Sequence, residues 1–201
     1  MRTYVRCLRF APIRRAGADV LRVCLTPARV ASPGTKEVRD PIHVFMTVDQ
    51  DVLPVINSPL FQRLRSVHQL AMTYMVYPGA SHKRFEHSLG VMHLAGEIFD
   101  VVTREANLVP GAEKLFGDRR SLPYWRLTLQ IAALCHDLGH PAFSHAAESS
   151  FPTGWSHEDM TIRLVRSPQM AELLGEIPEP RPKIEHIAKL AVGVKEVAKL
   201  G

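Results

Sequence analysis

Cysteine is scarce in this chain. Its 201 residues hold three, Cys7, Cys24 and Cys135, an odd number without CxxC spacing. That argues against a disulfide framework and fits a reducing compartment, so a cytoplasmic protein is expected. Long apolar runs are absent too, and no window is apolar enough to span a bilayer. There are no internal repeats. Acids are missing from one end: residues 1–39 carry nine Lys/Arg against two Asp/Glu, whereas residues 40–201 carry 16 against 18. The overall charge of +5 is therefore a property of the first segment. The rest gives no compositional reason to expect nucleic-acid binding. Arg and Asp interrupt the apolar residues of 1–39, which excludes a convincing secretory signal. A basic, loosely attached leader is the preferred reading of 1–39, and an organelle transit peptide is the alternative. Val20–Leu25 could form a short strand.

What is present reads as mostly helical, with a 46% hydrophobic content ordinary for a globular chain. We expect an all-α bundle with a minor strand or arm near its N-terminus. The expected units are a leader at 1–39, a core at 40–175, and a Pro-rich linker with an amphipathic helix at 176–201. Ile42, Val44 and Met46 alternate with His43, Phe45 and Thr47, the pattern of a short strand. Ser58-Pro59 is a helix start, and Phe61, Leu64, Val67 and Leu70 follow at helical spacing. A long helix is expected from Glu86, with Val91, Leu94, Ile98, Val101 and Val102 as its buried stripe. Another is expected over Tyr124 to Leu138. His145 falls in a short helix or turn. Ser156 and Asp159 form a capping box for a helix beginning at His157. Ser167-Pro168 starts a further helix. Ile184, Ile187, Ala191, Val194 and Ala198 mark one amphipathic helix over 184–200.

The chain is organised around Leu134-Cys135-His136-Asp137-Leu138-Gly139-His140. Imidazole and carboxylate are both good ligands for a divalent metal. An apolar lead-in, Ile131 to Leu134, places the pair at the end of a core helix, where unpartnered polar groups are costly. The alternative is a helix C-cap with Gly139 turning the chain. Seven of the ten histidines lie between residues 82 and 157, which shifts the balance. If the start of the Glu86 helix meets the end of the His136 helix, two imidazoles and a carboxylate converge on one ion, an arrangement suited to phosphoester hydrolysis. Lys83 and Arg84 add charge for a polyphosphate. His157 and Glu158 open a helix, where free N–H groups favour phosphate oxygens.

His87 followed by His136-Asp137 resembles the HD-domain metal-dependent phosphohydrolases. The blocks Asp40-Pro41-Ile42-His43, Phe61-Gln62-Arg63-Leu64-Arg65, Gln69-Leu70, Tyr77 to His82, Arg84 to Gly90, Cys135 to His140, Phe143-Ser144-His145 and Trp155 to Glu158 are similar to the deoxynucleoside triphosphate triphosphohydrolase branch of that family. The resemblance runs from about Asp40 to Arg166. It implies His87, His136 and Asp137 as ligands of one divalent ion, with Mn, Fe, Zn, Ni and Mg all admissible. It implies that Arg84 contacts substrate phosphates and that Gln69 and Leu70 line the deoxyribose, the leucine crowding a 2′-hydroxyl. It implies active-site roles for His140, His145 and His157, with His157 as proton donor to the leaving 5′-oxygen and Glu158 orienting it. The implied reaction converts a dNTP to deoxynucleoside and triphosphate, in a protein that assembles as a homo-oligomer and has no membrane partner.

Two departures stand beside these matches. The family pattern implies a fourth metal ligand, an Asp well beyond the His157 block. None of Glu158, Asp159, Glu172, Glu176, Glu179, Glu185 or Glu196 sits in that motif, so the resemblance implies a C-terminally shorter relative with weaker metal binding and slower turnover. A non-catalytic nucleotide- or metal-binding module is the alternative. Asn57 stands where the resemblance to vertebrate members of the branch implies an Asp that reads guanine in an allosteric pocket, together with the positions of Gln62 and Arg65. Asn cannot present two acceptors as a carboxylate does, which argues against guanine-specific activation.

Overall fold

The computed structural model describes residues 34–108 and 119–199. The possible strand at Val20–Leu25, Cys7 and Cys24 lie outside these residues. Strand β1 (Thr35–Asp40) pairs antiparallel with β2 (Val44–Asp49), from Thr35↔Asp49 to Asp40↔Val44. The strand expected after Asp40 is therefore half of a hairpin whose first strand begins before residue 40. Its turn is held by Asp40, whose Oδ2 accepts the backbone N–H groups of Ile42 and His43, each at 2.8 Å. Met46 and Val48 point into the core.

Two short helices follow, α1 (Leu53–Asn57) and α2 (Pro59–Gln62). Ser58 caps α2 as its sequence predicts, accepting the Phe61 N–H at 3.3 Å. The helix does not continue to Leu70. Arg63–Ser66 tightens into a 3₁₀ turn and Val67 is extended. The cause is a competing set of backbone partners: Arg84 N–H donates to Val67 O at 2.9 Å and Gln69 N–H to His82 O at 3.1 Å. Pairing with the strand-like approach to the next helix replaces helix propagation.

That helix, α3 (Arg84–Val102), begins two residues earlier than expected, because Glu86 at its third position accepts the Lys83 N–H at 2.9 Å. Its expected buried stripe is wrong. Phe85, Ser88, Leu89, Met92, Gly96 and Phe99 face inward, whereas Leu94, Ile98 and Val102 are exposed. The true seam contains a serine and a glycine, so a count of apolar residues misses it. Gly96 leaves room for the facing helix: a Cβ there would lie 2.9 Å from Gln130 Nε2, and that side chain would have to shift.

The facing helix, α4 (Leu122–Cys135), runs through the core with Ile131, Ala132, Leu134 and Cys135 buried, and His136 is its C-cap. Arg126 joins α4 to α3 and the hairpin, through paired bonds to Asp100 at 2.8 and 3.1 Å and one to Asp49 at 3.1 Å. A 3₁₀ segment, Ser144–Ser150, leads to α5 (His157–Val165), which carries the expected Ser156/Asp159 capping box. Ser167 caps α6 (Pro168–Gly175). The amphipathic helix expected over 184–200 is two helices, α7 (Ile184–Val192) and α8 (Val194–Lys199), parted by Gly193 at φ 97°. Consequently Ile187, Ala188 and Val197 are buried while Val194 is exposed. The described residues are mostly helical with one two-stranded sheet, as the sequence predicts. None of their helices is long and apolar enough to cross a membrane.

Candidate metal centre

The N-terminal turn of α3 meets the C-terminal end of α4. This brings His87, His136 and Asp137 together, with one ligand atom from each lying within 4.8 Å of the others. His87 Nε2 is 3.8 Å from Asp137 Oδ2, and His136 Nε2 is 3.5 Å from Asp137 Oδ1. A divalent ion fits this group, and the hydrogen bonding of His136 is the reason. Its Nδ1 sits 2.7 Å from the Ala133 carbonyl, which can only accept, so Nδ1 carries the proton and Nε2 keeps its lone pair toward the cluster. Burial pushes the His87 pKa below its ordinary value, which keeps that ring neutral and able to ligate.

Asp137 is almost fully buried. Burial raises its pKa, but His136, Arg84 and His140 together outweigh burial and hold the carboxyl below its ordinary value. The closest partner is Arg84, whose Nη1 donates to Asp137 Oδ2 at 2.6 Å. The same guanidinium donates through Nη2 to Ser144 Oγ at 2.5 Å and to the Gln69 carbonyl at 3.4 Å. In this arrangement Arg84 faces the ligand carboxylate from inside the protein. Gln69 is thus one residue removed from the metal group, and Leu70 beside it is exposed.

A second cluster adjoins the first. His140 follows the turn after α4, its Nε2 3.4 Å from Asp137 Oδ1. Burial, then the Arg84 charge, drive its pKa down to about 3, so it is a neutral imidazole at working pH. Its ring stacks on His157 at a centroid distance of 3.9 Å, and His145 stands edge-on to both. The carboxylate that orients His157 is Glu148, which accepts from His157 Nδ1 at 2.7 Å and from His145 Nδ1 at 2.7 Å. Glu158, expected in that role, lies 4.0 Å from His157 Nε2 and accepts from Ser156 Oγ instead. Glu148 escaped sequence reasoning, although it stands three residues after His145 and 3₁₀ geometry aligns i with i+3. Burial raises the Glu148 pKa, but its hydrogen bonds from the two histidines prevail and keep it below normal.

Gly139 sets the distance between the two clusters. Its N–H donates to Thr161 Oγ1 at 2.9 Å, and that hydroxyl donates to the His157 carbonyl at 2.9 Å. A Cβ at Gly139 would overlap the His157 carbonyl oxygen. The glycine is needed for close approach, since its φ is not among the positive ones.

Residues 84–196, more than half of the chain, match the HD domain family. The chain belongs to the HD-domain family. Among curated relatives it is similar to the deoxynucleoside triphosphate triphosphohydrolase SAMHD1 of Gallus gallus, 38% identical over 162 residues, which cover 78% of this chain and 25% of that protein. SAMHD1 of Homo sapiens is 38% identical over 135 residues, covering 64% and 20%. An uncharacterised protein of Methanocaldococcus jannaschii is 39% identical over 123 residues, covering 61% and 22%. A crystal structure of a hypothetical protein from Aquifex aeolicus is 34% identical with a TM-score of 0.57, covering 78% of this chain and 41% of that one. The chain spans about a quarter of the length of the curated relatives it matches.

Proposed function

We propose that this HD domain is a metal-dependent phosphohydrolase acting on dNTPs, cleaving at the α-phosphorus to give deoxynucleoside and triphosphate. The observation that carries the reading is the junction of two clusters at Asp137 and His140: a metal-binding group on one side and a carboxylate-oriented imidazole on the other. The relatives named for dNTP triphosphohydrolysis support the substrate. A divalent ion bound by His87, His136 and Asp137 supplies Lewis-acid polarisation of a phosphoryl oxygen.

The chain's own residues do the remainder. Arg84 orients the Asp137 carboxylate and keeps it ionised. His140 stays neutral and offers an N–H to a phosphate oxygen. Glu148 accepts the Nδ1–H of His157 and so fixes the orientation of that ring. His157 then delivers a proton from Nε2 to the leaving 5′-oxygen. His145 shares the same Glu148 oxygen, at 2.7 Å from its Nδ1. Gln69 and Leu70 would border the sugar, the leucine crowding a 2′-hydroxyl.

Incubation with dGTP and Mn²⁺, followed by separation of products, tests the reading. Deoxyguanosine with intact triphosphate is expected. Release of deoxyguanosine monophosphate and pyrophosphate, or no product at all, overturns it. A binding module without turnover is the second reading. It predicts Mn²⁺-dependent dGTP binding with no product.

A further inference from the structure

The second cluster is itself a complete ligand set. We propose that His140, His145, Glu148 and His157 form a separate site for a zinc-like divalent cation, and that an ion held there inhibits the reaction assigned to the neighbouring group. The inhibitory half rests on the proposed function; the binding half does not.

One donor atom from each of the four residues lies within 4.8 Å of the other three. A tetrahedral ion with Zn–N near 2.0–2.1 Å needs donors about 3.3–3.4 Å apart, so closure requires small side-chain rotations rather than backbone movement. Two distances are already tighter: the Nδ1 atoms of His145 and His157 each stand 2.7 Å from one oxygen of Glu148. That oxygen marks where positive charge is drawn, now by two N–H groups and, after their deprotonation, by an ion. His140 contributes an unsatisfied atom. The residue is 2% exposed and its Nδ1 has no hydrogen-bond partner. A buried ring nitrogen without a partner is costly, and a ligand is one way to satisfy it.

The backbone favours the set as well. His145 and Glu148 are i and i+3 on a 3₁₀ segment, whose three-residue turn aligns their side chains. His140 is fixed beside them by Arg63, whose Nη1 donates to its carbonyl at 3.0 Å. Three imidazoles and one carboxylate suit Zn²⁺ and Co²⁺ in tetrahedral coordination, and they do not suit Mg²⁺ or Ca²⁺, which demand oxygen. An ion here occupies the Nδ1 atom of His157 and removes it from the influence of Glu148, so proton delivery stops.

The test uses the metal-stripped full chain equilibrated with Zn²⁺ and measured by elemental analysis, with Co²⁺ absorption as the coordination readout. Wild type is expected to lose one bound zinc on replacement of His145→Gln with Glu148→Gln. It is expected to lose a different one on replacement of His136→Ala with Asp137→Ala. The tetrahedral Co²⁺ band should vanish in the first variant and persist in the second. His145 is largely exposed, so its replacement spares the core. Loss of a ligand pair should weaken zinc at this site by about 100-fold or more. If the His145→Gln/Glu148→Gln variant keeps the wild-type zinc count and cobalt spectrum, the site is refuted. Excess zinc should also inhibit Mn²⁺-supported dGTP hydrolysis. A protein that binds the second zinc but never turns over dGTP refutes the proposed function and the inhibitory half, and leaves the site standing.

Discussion

Replacing Gly139 by alanine should uncouple proton delivery from metal binding. The turn after α4 lies directly on the first turn of α5, and the contact is backbone to backbone. A Cβ at residue 139 would overlap the His157 carbonyl oxygen, and it would lie 2.5 Å from Thr161 N and 2.6 Å from Thr161 Oγ1. Real contacts to Cβ begin near 3.0 Å, so α5 must withdraw by at least half an ångström at Thr161 and by more at His157. Withdrawal stretches the Gly139–Thr161–His157 hydrogen bonds and moves the His157 ring away from Asp137. Overpacking of this kind costs about 1–3 kcal/mol of stability. Misplacement near 1 Å costs on the order of 100-fold in rate. His87, His136 and Asp137 lie on the other side of the contact and should keep their metal. The assay is kcat for dGTP hydrolysis with Mn²⁺, paired with Mn²⁺ affinity and thermal unfolding. We expect kcat to fall by about 100-fold with metal affinity changed by less than about threefold. An alanine variant with wild-type kcat and melting temperature would refute the close-approach argument. Parallel loss of metal would refute the division of labour.

Arg84→Ala should destabilise the metal-free protein by about 3–5 kcal/mol, because Asp137 is left buried and unpaired; added Mn²⁺ should recover much of that, and chemical denaturation with and without metal measures both. Acid should unfold the metal-free chain in two stages. His87 and His140 have lowered pKa values, so the unfolded state binds more protons and stability falls as pH drops below about 6.5. Asp137 is also lowered, so its contribution is lost below its ordinary value near 3.8, in the same direction. A stability profile that rises as pH falls from 7 to 5 would contradict the burial of these groups. Leu70→Gly should raise hydrolysis of GTP relative to dGTP by about 10-fold, the scale for relieving one apolar contact, as read from the two kcat/KM values; an unchanged ratio would remove Leu70 from the sugar pocket.

Much of the fold was legible where local chemistry decides it. The Ser58-Pro59, Ser156 and Ser167-Pro168 helix starts stand where capping predicts, because each cap is satisfied within three residues. Tertiary competition was not legible. Nothing local says that Val67 and Gln69 pair with residues 82–84 instead of extending α2. The buried stripe of α3 was misjudged because its seam uses Ser88 and Gly96, which an apolar period does not register. At the site, His87, His136 and Asp137 come together. Glu148 was invisible because an isolated acid in a polar loop carries no signal until the 3₁₀ segment aligns it with His145. The close approach at Gly139 was not legible either. Its need for space comes from α5, which begins 18 positions later.

The most direct test of the central claim is Mn²⁺ binding to the metal-stripped chain, followed by the electron paramagnetic resonance signal of the free ion. The account predicts one bound Mn²⁺ that His136→Ala with Asp137→Ala abolishes and His145→Gln with Glu148→Gln spares. Mn²⁺ binding that survives loss of His136 and Asp137 would contradict it.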